Sequence, residues 1–462
     1  MSQGPPKSPK VFRDPVHNLI TFDPEDRDLL LAIIQTAEFQ RLRRIRQLGL
    51  SALTFHGAEH TRFTHSLGTY HVAKRMLESL ERRKADFPDL FQPLQPHRRE
   101  ILVAALLHDI GHCPFSHVLE KLIVPQPLPP GYAKDHEGWT ERIIRDIIAN
   151  TSSDLDWEFV GRLYSRIGAN EGVARDIISS QLDADRLDYL LRDSYAAGVP
   201  YGRFDLEWLL HSIRIGLVEV AGVAGKMPRL CFTTPKAKAV VEQYVLARQC
   251  MYLQVYVHKT TRAYEALLRH IIELARFVVA GGGSLPERTP DPVRKALMGD
   301  CLTLEEYLEL DDFVLWTVLR DWARMRESKC PAAKLLGEKA DALVNRRKPY
   351  RTIELRERGQ QDAALEVVNT LRTQGAMEQF SCYRDSYEDV PYRNIFYKGG
   401  KEEEEKRVRP IYLLDSERNT HLAEEQSEVI RALSEVQMEV YRLHYDDSAP
   451  GVVNLLQEKR LL

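Results

Sequence analysis

Leu106-Leu107-His108-Asp109-Ile110-Gly111-His112-Cys113-Pro114-Phe115-Ser116-His117 is the stretch on which the reading of this chain turns. The apolar run Ile101 to Leu107 leads into adjacent His108 and Asp109, after which Gly111 and Pro114 break the helical pattern. A helix ending this way sets His and Asp at a cavity wall, where the bend lets neighbouring side chains converge. Imidazole nitrogen and carboxylate oxygen together suit Mn, Fe or Zn, and Mg where substrate phosphates complete the shell. Two ligands make a poor cage, so others must come from elsewhere. His65 follows Thr61-Arg62-Phe63-Thr64 at the start of a helical pattern, and Leu182 to Tyr189 offers Asp183, Asp185 and Asp188. On that helix Asp185 and Tyr189, four residues apart, share a face with Asp188 close to it, whereas Asp183 points elsewhere.

Histidine is concentrated around this stretch. Eight of the 15 lie within residues 56 to 117, where an even spread would place about two. The rest of the composition excludes whole classes. Across 462 residues, 64 Lys and Arg against 67 Asp and Glu give a net charge of −3, which rules out a globally basic nucleic-acid binder and leaves room for a local cationic pocket. Six scattered Cys form no C-x-x-C pair, so neither a disulfide framework nor a thiolate zinc site is expected. No stretch reaches the roughly 20 apolar residues of a membrane span, and the N-terminus has no apolar signal core, so a cytoplasmic protein without membrane contact is expected.

The fold expected is mainly α, with a small β-hairpin and a C-terminal α+β appendage. Periodic apolar positions predict helices over 26–49 with Gly49 as C-cap, 66–83, 98–110, 137–149, 171–197, 205–215 and a long 236–279. A β-hairpin is expected at 215–233. Gly281-Gly282-Gly283 followed by Pro286 and Pro290 marks a boundary, helices resume near 292–345, and short strands then alternate with helices. The division is a disordered segment 1–9, a core 10–280, a helical extension 281–349 and an α+β region 350–462.

Six ordered blocks carry a resemblance: Val11 to His17, Phe39 to Gly49, His60 to Gly68, His108 to His117, His136-Glu137 and Asp183 to Asp193. Together they resemble the HD-domain metal phosphohydrolase superfamily and, within it, the deoxynucleoside triphosphate triphosphohydrolases. The likeness is strongest to vertebrate members that join a sterile-alpha-motif domain to the HD domain. It spans about residues 10–265 and implies a chain without that accessory domain. The resemblance implies His65, His108, Asp109 and Asp185 as ligands of a divalent metal, and hydrolysis at the α-phosphorus of a dNTP to deoxynucleoside and triphosphate. It implies His112, His117 and His136 as catalytic. Glu120, three residues after His117, is within helical reach to orient it, which makes that pair the expected general acid and leaves His112 and His136 as phosphate contacts.

Arg62, Arg186 and Arg248 match a triphosphate clamp, for which guanidinium forks are suited. Gln47, Leu48, Tyr189, Asp193 and Tyr256 match positions around sugar and base. Val257 stands where these relatives carry Gln, which leaves sugar and base selectivity open. The resemblance further implies a homo-oligomer, a tetramer among relatives, with a nucleotide activator between subunits touching Lys10, Val11, Gln40, Arg43 and Arg214. Gln35 replaces the Asp that would read guanine, which leaves the activator's base open. The Arg41, Arg43, Arg44, Arg46 series reads equally as a solvated helix face or an anion-binding surface. Two competing functions stand beside the leading one: an HD phosphohydrolase acting on another nucleotide or nucleic acid, and a non-catalytic nucleic-acid or nucleotide-sensing module.

Overall fold

A computed structural model describes residues 8–115, 117–120, 132–133, 135–164 except 151–154, 172–219, 225–347, 350–393 and 410–462. The N-terminal segment expected to be disordered lies, up to residue 7, outside the described residues. The chain opens with an antiparallel hairpin, β1 (Lys10–Asp14) and β2 (Asn18–Phe22). Helices then build the body: α1 (Arg27–Gln35), α2 (Ala37–Arg41), α3 (Arg62–Glu81), α4 (Arg98–Leu107), α5 (His136–Asn150), α6 (Gly172–Ile178) and α7 (Ala184–Ala197). Strands β3 (Ile213–Glu219) and β4 (Lys226–Thr233) form the expected hairpin, and α8 (Lys238–Met251) and α9 (Lys259–Ala280) follow. No described helix is long and apolar enough to cross a membrane.

Three expected helices are broken, each by a polar cap that periodicity does not register. The span 26–49 divides at Thr36, whose hydroxyl accepts the N–H of Phe39 and starts α2; Ile45 is extended, Arg46 bridges to Thr61, and Gly49 opens a separate turn. The span 171–197 breaks at Asp183, whose carboxylate caps α7 by accepting the N–H of Arg186 and also accepts that of Ser180 in the preceding turn. The span 236–279 breaks after a π turn, Tyr252–Tyr256, and His258 then caps α9 by accepting the N–H of Thr260. The π turn carries Tyr256, and such turns recur at functional sites.

The region beyond 281 is built into the body. Helix α10 (Asp312–Ala323) packs on α11 (Pro331–Val344), which packs on α9, and one apolar core runs from Ile20 to Ile430. In the tail, β5 (Arg351–Glu354), β6 (Cys382–Asp389) and β9 (Met438–Tyr445) form an antiparallel sheet in the order β5-β9-β6. That sheet packs on α12 (Arg358–Gln374) and α13 (Pro450–Glu458) over a smaller core that includes Val367, Leu443 and Leu456. Strands β7 (Tyr412–Leu414) and β8 (Thr420–Leu422) instead extend the β3-β4 hairpin, with β7 parallel to β4.

The seam between body and tail holds a buried polar cluster in which His270 Nδ1 lies 2.5 Å from the Tyr350 hydroxyl, with Lys339 Nζ 3.2 Å from that hydroxyl. Burial, reinforced by Lys339, holds the His270 pKa well below its ordinary value; burial likewise lowers His71 to about 3. Above about pH 6.5 these residues are neutral in both folded and unfolded chains, so they add no pH dependence. Below it the unfolded chain takes protons that the folded chain refuses, and stability falls as pH falls. We expect a loss of up to about 1.4 kcal/mol per pH unit per residue between pH 6.5 and 4. Denaturant midpoints across that range check it, with a shallower slope in His270→Gln.

Candidate metal centre and nucleotide pocket

Helix α4 ends at His108, whose Nδ1–H donates to Ala105 O at 2.9 Å, leaving Nε2 to face the pocket. Helix α3 brings His65 opposite, with the two Nε2 atoms 3.1 Å apart. Asp185, in the first turn of α7, sets Oδ1 3.0 Å from His65 Nε2 and 3.5 Å from His108 Nε2. Asp109 Oδ1 is 3.4 Å from His108 Nε2, and its Oδ2 is 3.8 Å from His65 Nε2 and bonded by Arg62. Ligand atoms of His65, His108 and Asp109 thus lie within 4.8 Å of one another, and Asp185 flanks both imidazoles. His65 is fully buried, which alone would lower its pKa, yet hydrogen bonds to Asp185 and Asp188 raise it to about 10. Burial would likewise raise Asp185, but His108 and His65 hold it well below the ordinary carboxylate range. The donor set fits a divalent cation.

Beside it, His112 Nε2 lies 3.2 Å from Asp109 Oδ1, and the His112 ring stacks on His136 at 4.0 Å between centroids. Glu120 accepts from the His136 backbone N–H and lies 2.9 Å from His136 Nδ1. Burial, then the Arg62 charge, lowers the pKa of His112; burial would lower that of His136 too, but the Glu120 bond raises it. On the other side an aromatic row leads away from the cluster. Tyr189 lies 6.4 Å from the His65 ring and 6.2 Å from Tyr256, and Tyr252 is 4.9 Å from Tyr256. Arg248 closes the row, its guanidinium 4.7 Å from the Tyr252 ring centroid. Asp193 accepts from the Tyr256 hydroxyl at 2.8 Å and lies 2.8 Å from His60 Nε2. Gln47 donates its N–H to His60 O, and its side-chain oxygen is buried without a partner among the described residues.

Residues 62–193, the segment that carries these candidate ligands, match the HD domain family. A solved phosphohydrolase from Bacteroides thetaiotaomicron shares the fold over 95% of this chain and 100% of its own, with a TM-score of 0.75 at 27% identity. This chain belongs to the HD-domain phosphohydrolase family. The phosphohydrolase is 33% identical to the uncharacterized protein YwfO of Bacillus subtilis over 94% of this chain and 92% of that one. It is 30% identical to the deoxynucleoside triphosphate triphosphohydrolase SAMHD1 of Danio rerio over 58% of this chain, and spans 45% of that protein's length.

In the phosphohydrolase the three expected clamp residues are already engaged. Arg62 pairs with Asp109 and Arg186 with Asp183. Arg248 donates to Val390 O at 3.0 Å, Pro391 O at 2.6 Å and Asp389 at 3.1 Å. Glu120, expected beside His117, is bonded to His136, and the side chain of His117 lies outside the described residues. Among the expected activator residues, Arg43 donates to Gln40 at 2.8 Å and covers Phe63 at 3.5 Å. Lys10 lies over Phe12, Val11 is exposed on β1, and Arg214 bonds the carbonyls of His211 and Ile213, so the structure groups only Gln40 with Arg43.

The basic series is divided between burial and solvent, with Arg43 and Arg44 exposed and Arg41 buried. Arg41 is buried and donates to Leu310 O and His112 O, Arg44 pairs with Asp311, and Arg46 pairs with Glu59. Cys113 is buried, and burial keeps its thiol protonated. Sequence reading missed the residues that hold the site from outside. Tyr307 donates to Gly111 O at 2.7 Å, Asp312 accepts the N–H groups of Phe115 and Arg46, and Asp389 reaches Arg248. His60, although inside a quoted block, carried no signal of its pairing with Asp193.

Proposed function

We propose that this phosphohydrolase converts dNTPs to deoxynucleoside and inorganic triphosphate. The observation that carries the reading is the convergence of His65, His108, Asp109 and Asp185 beside Arg62, at the head of the Tyr189–Tyr256 row. Those four residues would hold a divalent cation, which supplies neutralisation of phosphate charge and acidification of a water molecule. Mn, Fe and Mg suit the set, and Zn fits its donors. His112, kept neutral next to Arg62, contacts the α-phosphate. The Glu120 bond equips His136 to carry the proton required by the leaving 5′ oxygen, a role expected of His117 from its spacing to Glu120. Tyr189, Tyr256, Asp193, Gln47 and Leu48 enclose the nucleoside, while Arg62 and Arg186 bind phosphate oxygens.

The bonds of Arg248 to residues 389–391 favour a second reading, a nucleoside monophosphate substrate that needs only Arg62 and Arg186. Chromatography separates the two. Each dNTP, NTP and dNMP is incubated with Mn or Mg, with and without a mixture of the other nucleotides. Deoxynucleoside plus triphosphate supports the proposal, and release of phosphate from monophosphates supports the second reading. Monophosphate plus pyrophosphate overturns both. Stimulation by the mixture, lost in Arg43→Ala, would support a nucleotide activator held between subunits of a homo-oligomer.

A further inference from the structure

Helix α7 addresses both nitrogens of His65. Asp185 sets Oδ1 3.0 Å from Nε2, and Asp188, nearly one turn later, sets Oδ2 2.7 Å from Nδ1. Asp188 is fully buried, and each of its oxygens meets two donors. Oδ1 lies 2.6 Å from His17 Nε2 and accepts from Arg192 Nη2 at 2.9 Å; Oδ2 accepts from Arg192 Nε at 2.8 Å as well as from His65. Arg192 in turn donates to Asp14 at 2.8 and 3.3 Å, and Asp14 accepts the N–H groups of Val16 and His17 in the turn between β1 and β2. Gly68 makes room for this arrangement: a Cβ there would stand 1.9 Å from Asp188 Oδ1 and 2.3 Å from Arg192 Nη2.

We propose that Asp188, locked by His17 and Arg192, is the positioning residue that fixes His65 for metal binding, and that the N-terminal hairpin is thereby part of the metal centre. The inference rests on reading His65, His108, Asp109 and Asp185 as metal ligands. A carboxylate can only accept, so the Asp188 bond keeps a hydrogen on Nδ1 and leaves Nε2 as the nitrogen that turns to the cation. Outer partners of this kind orient the ring, and their loss weakens metal binding about 10- to 100-fold. The lock also explains why a carboxylate is required. Every described partner of Asp188 is a donor from His17, His65 or Arg192, so an amide would place its NH2 against an Arg192 N–H in either orientation.

Metal affinity, measured by competition with a chromogenic chelator for Mn, tests this without reference to activity. We expect Asp188→Asn to weaken Mn about 10- to 100-fold and His17→Gln, which leaves the charge pair of Asp188 with Arg192, to weaken it about three- to tenfold. His108→Ala is the control. If His108→Ala retains full affinity, the ligand reading itself fails. If His108→Ala loses Mn while Asp188→Asn and His17→Gln stay within twofold of the unsubstituted protein, only the positioning role is overturned. Should Asp188→Asn not fold, His17→Gln decides by the same criterion. Linkage adds a second readout: Mn should slow hydrogen exchange in the 10–22 hairpin of the unsubstituted protein and fail to do so in His17→Gln.

Discussion

His108→Ala should abolish phosphohydrolysis, lowering turnover at least about 10³-fold, or about 4 kcal/mol of barrier, while leaving the fold intact. The side chain touches Ala105 O and the ligand cluster, so its removal takes one donor from the centre and leaves no buried charge unpaired. Asp109→Ala should lose the same activity for the same reason and in addition lower stability by about 3–5 kcal/mol, because it breaks the buried ion pair with Arg62. The contrast is the informative part. Metal content by mass spectrometry and denaturant unfolding, measured together, should show both variants depleted of metal and only Asp109→Ala markedly destabilised. Equal stability of the two would refute the account of Arg62, and retained turnover in His108→Ala would refute the site.

Asp312→Ala should reduce turnover about 10- to 100-fold although the residue lies far along the chain from the motif. Its two oxygens accept the N–H groups of Phe115, at 3.0 Å, and Arg46, at 2.9 Å, and it is buried. Without it two buried N–H groups lose their acceptor, a cost of about 2–5 kcal/mol in stability. The loop that follows His112 would then shift, and a displacement of about 1 Å at a catalytic group is enough to cost about 100-fold. Tyr307→Phe, which removes the hydroxyl that donates to Gly111 O, should show a smaller effect in the same direction. Turnover that remains normal in Asp312→Ala at a temperature where the protein is folded would show that the extension does not hold the loop.

These two predictions differ in how far the sequence reaches. The candidate ligands were legible because His108 and Asp109 are neighbours and the resemblance singles out Asp185, which helical spacing sets on a different face from Asp183. The hairpin, the helical body and the alternating tail were legible from periodicity. The breaks at Thr36, Asp183 and His258 were not, because a single side-chain cap ends a helix without disturbing the apolar pattern around it.

What the sequence by itself determined is the set of candidate groups: His65, His108, Asp109 and Asp185 as donors that suit a cation, and arginines and tyrosines in an order that resembles one family. Tertiary structure alone decided which of those groups are available and what fixes them. Arg62 and Arg248 are bonded to Asp109 and to residues 389–391, His65 is fixed by Asp188 and through it by His17, and the loop after the motif is held by Tyr307 and Asp312. Each of these bonds joins residues far apart in the chain, where neither spacing nor composition leaves a trace. They form because packing the helices around one core removes water from the polar groups between them, and each buried donor must then find an acceptor wherever the fold provides one.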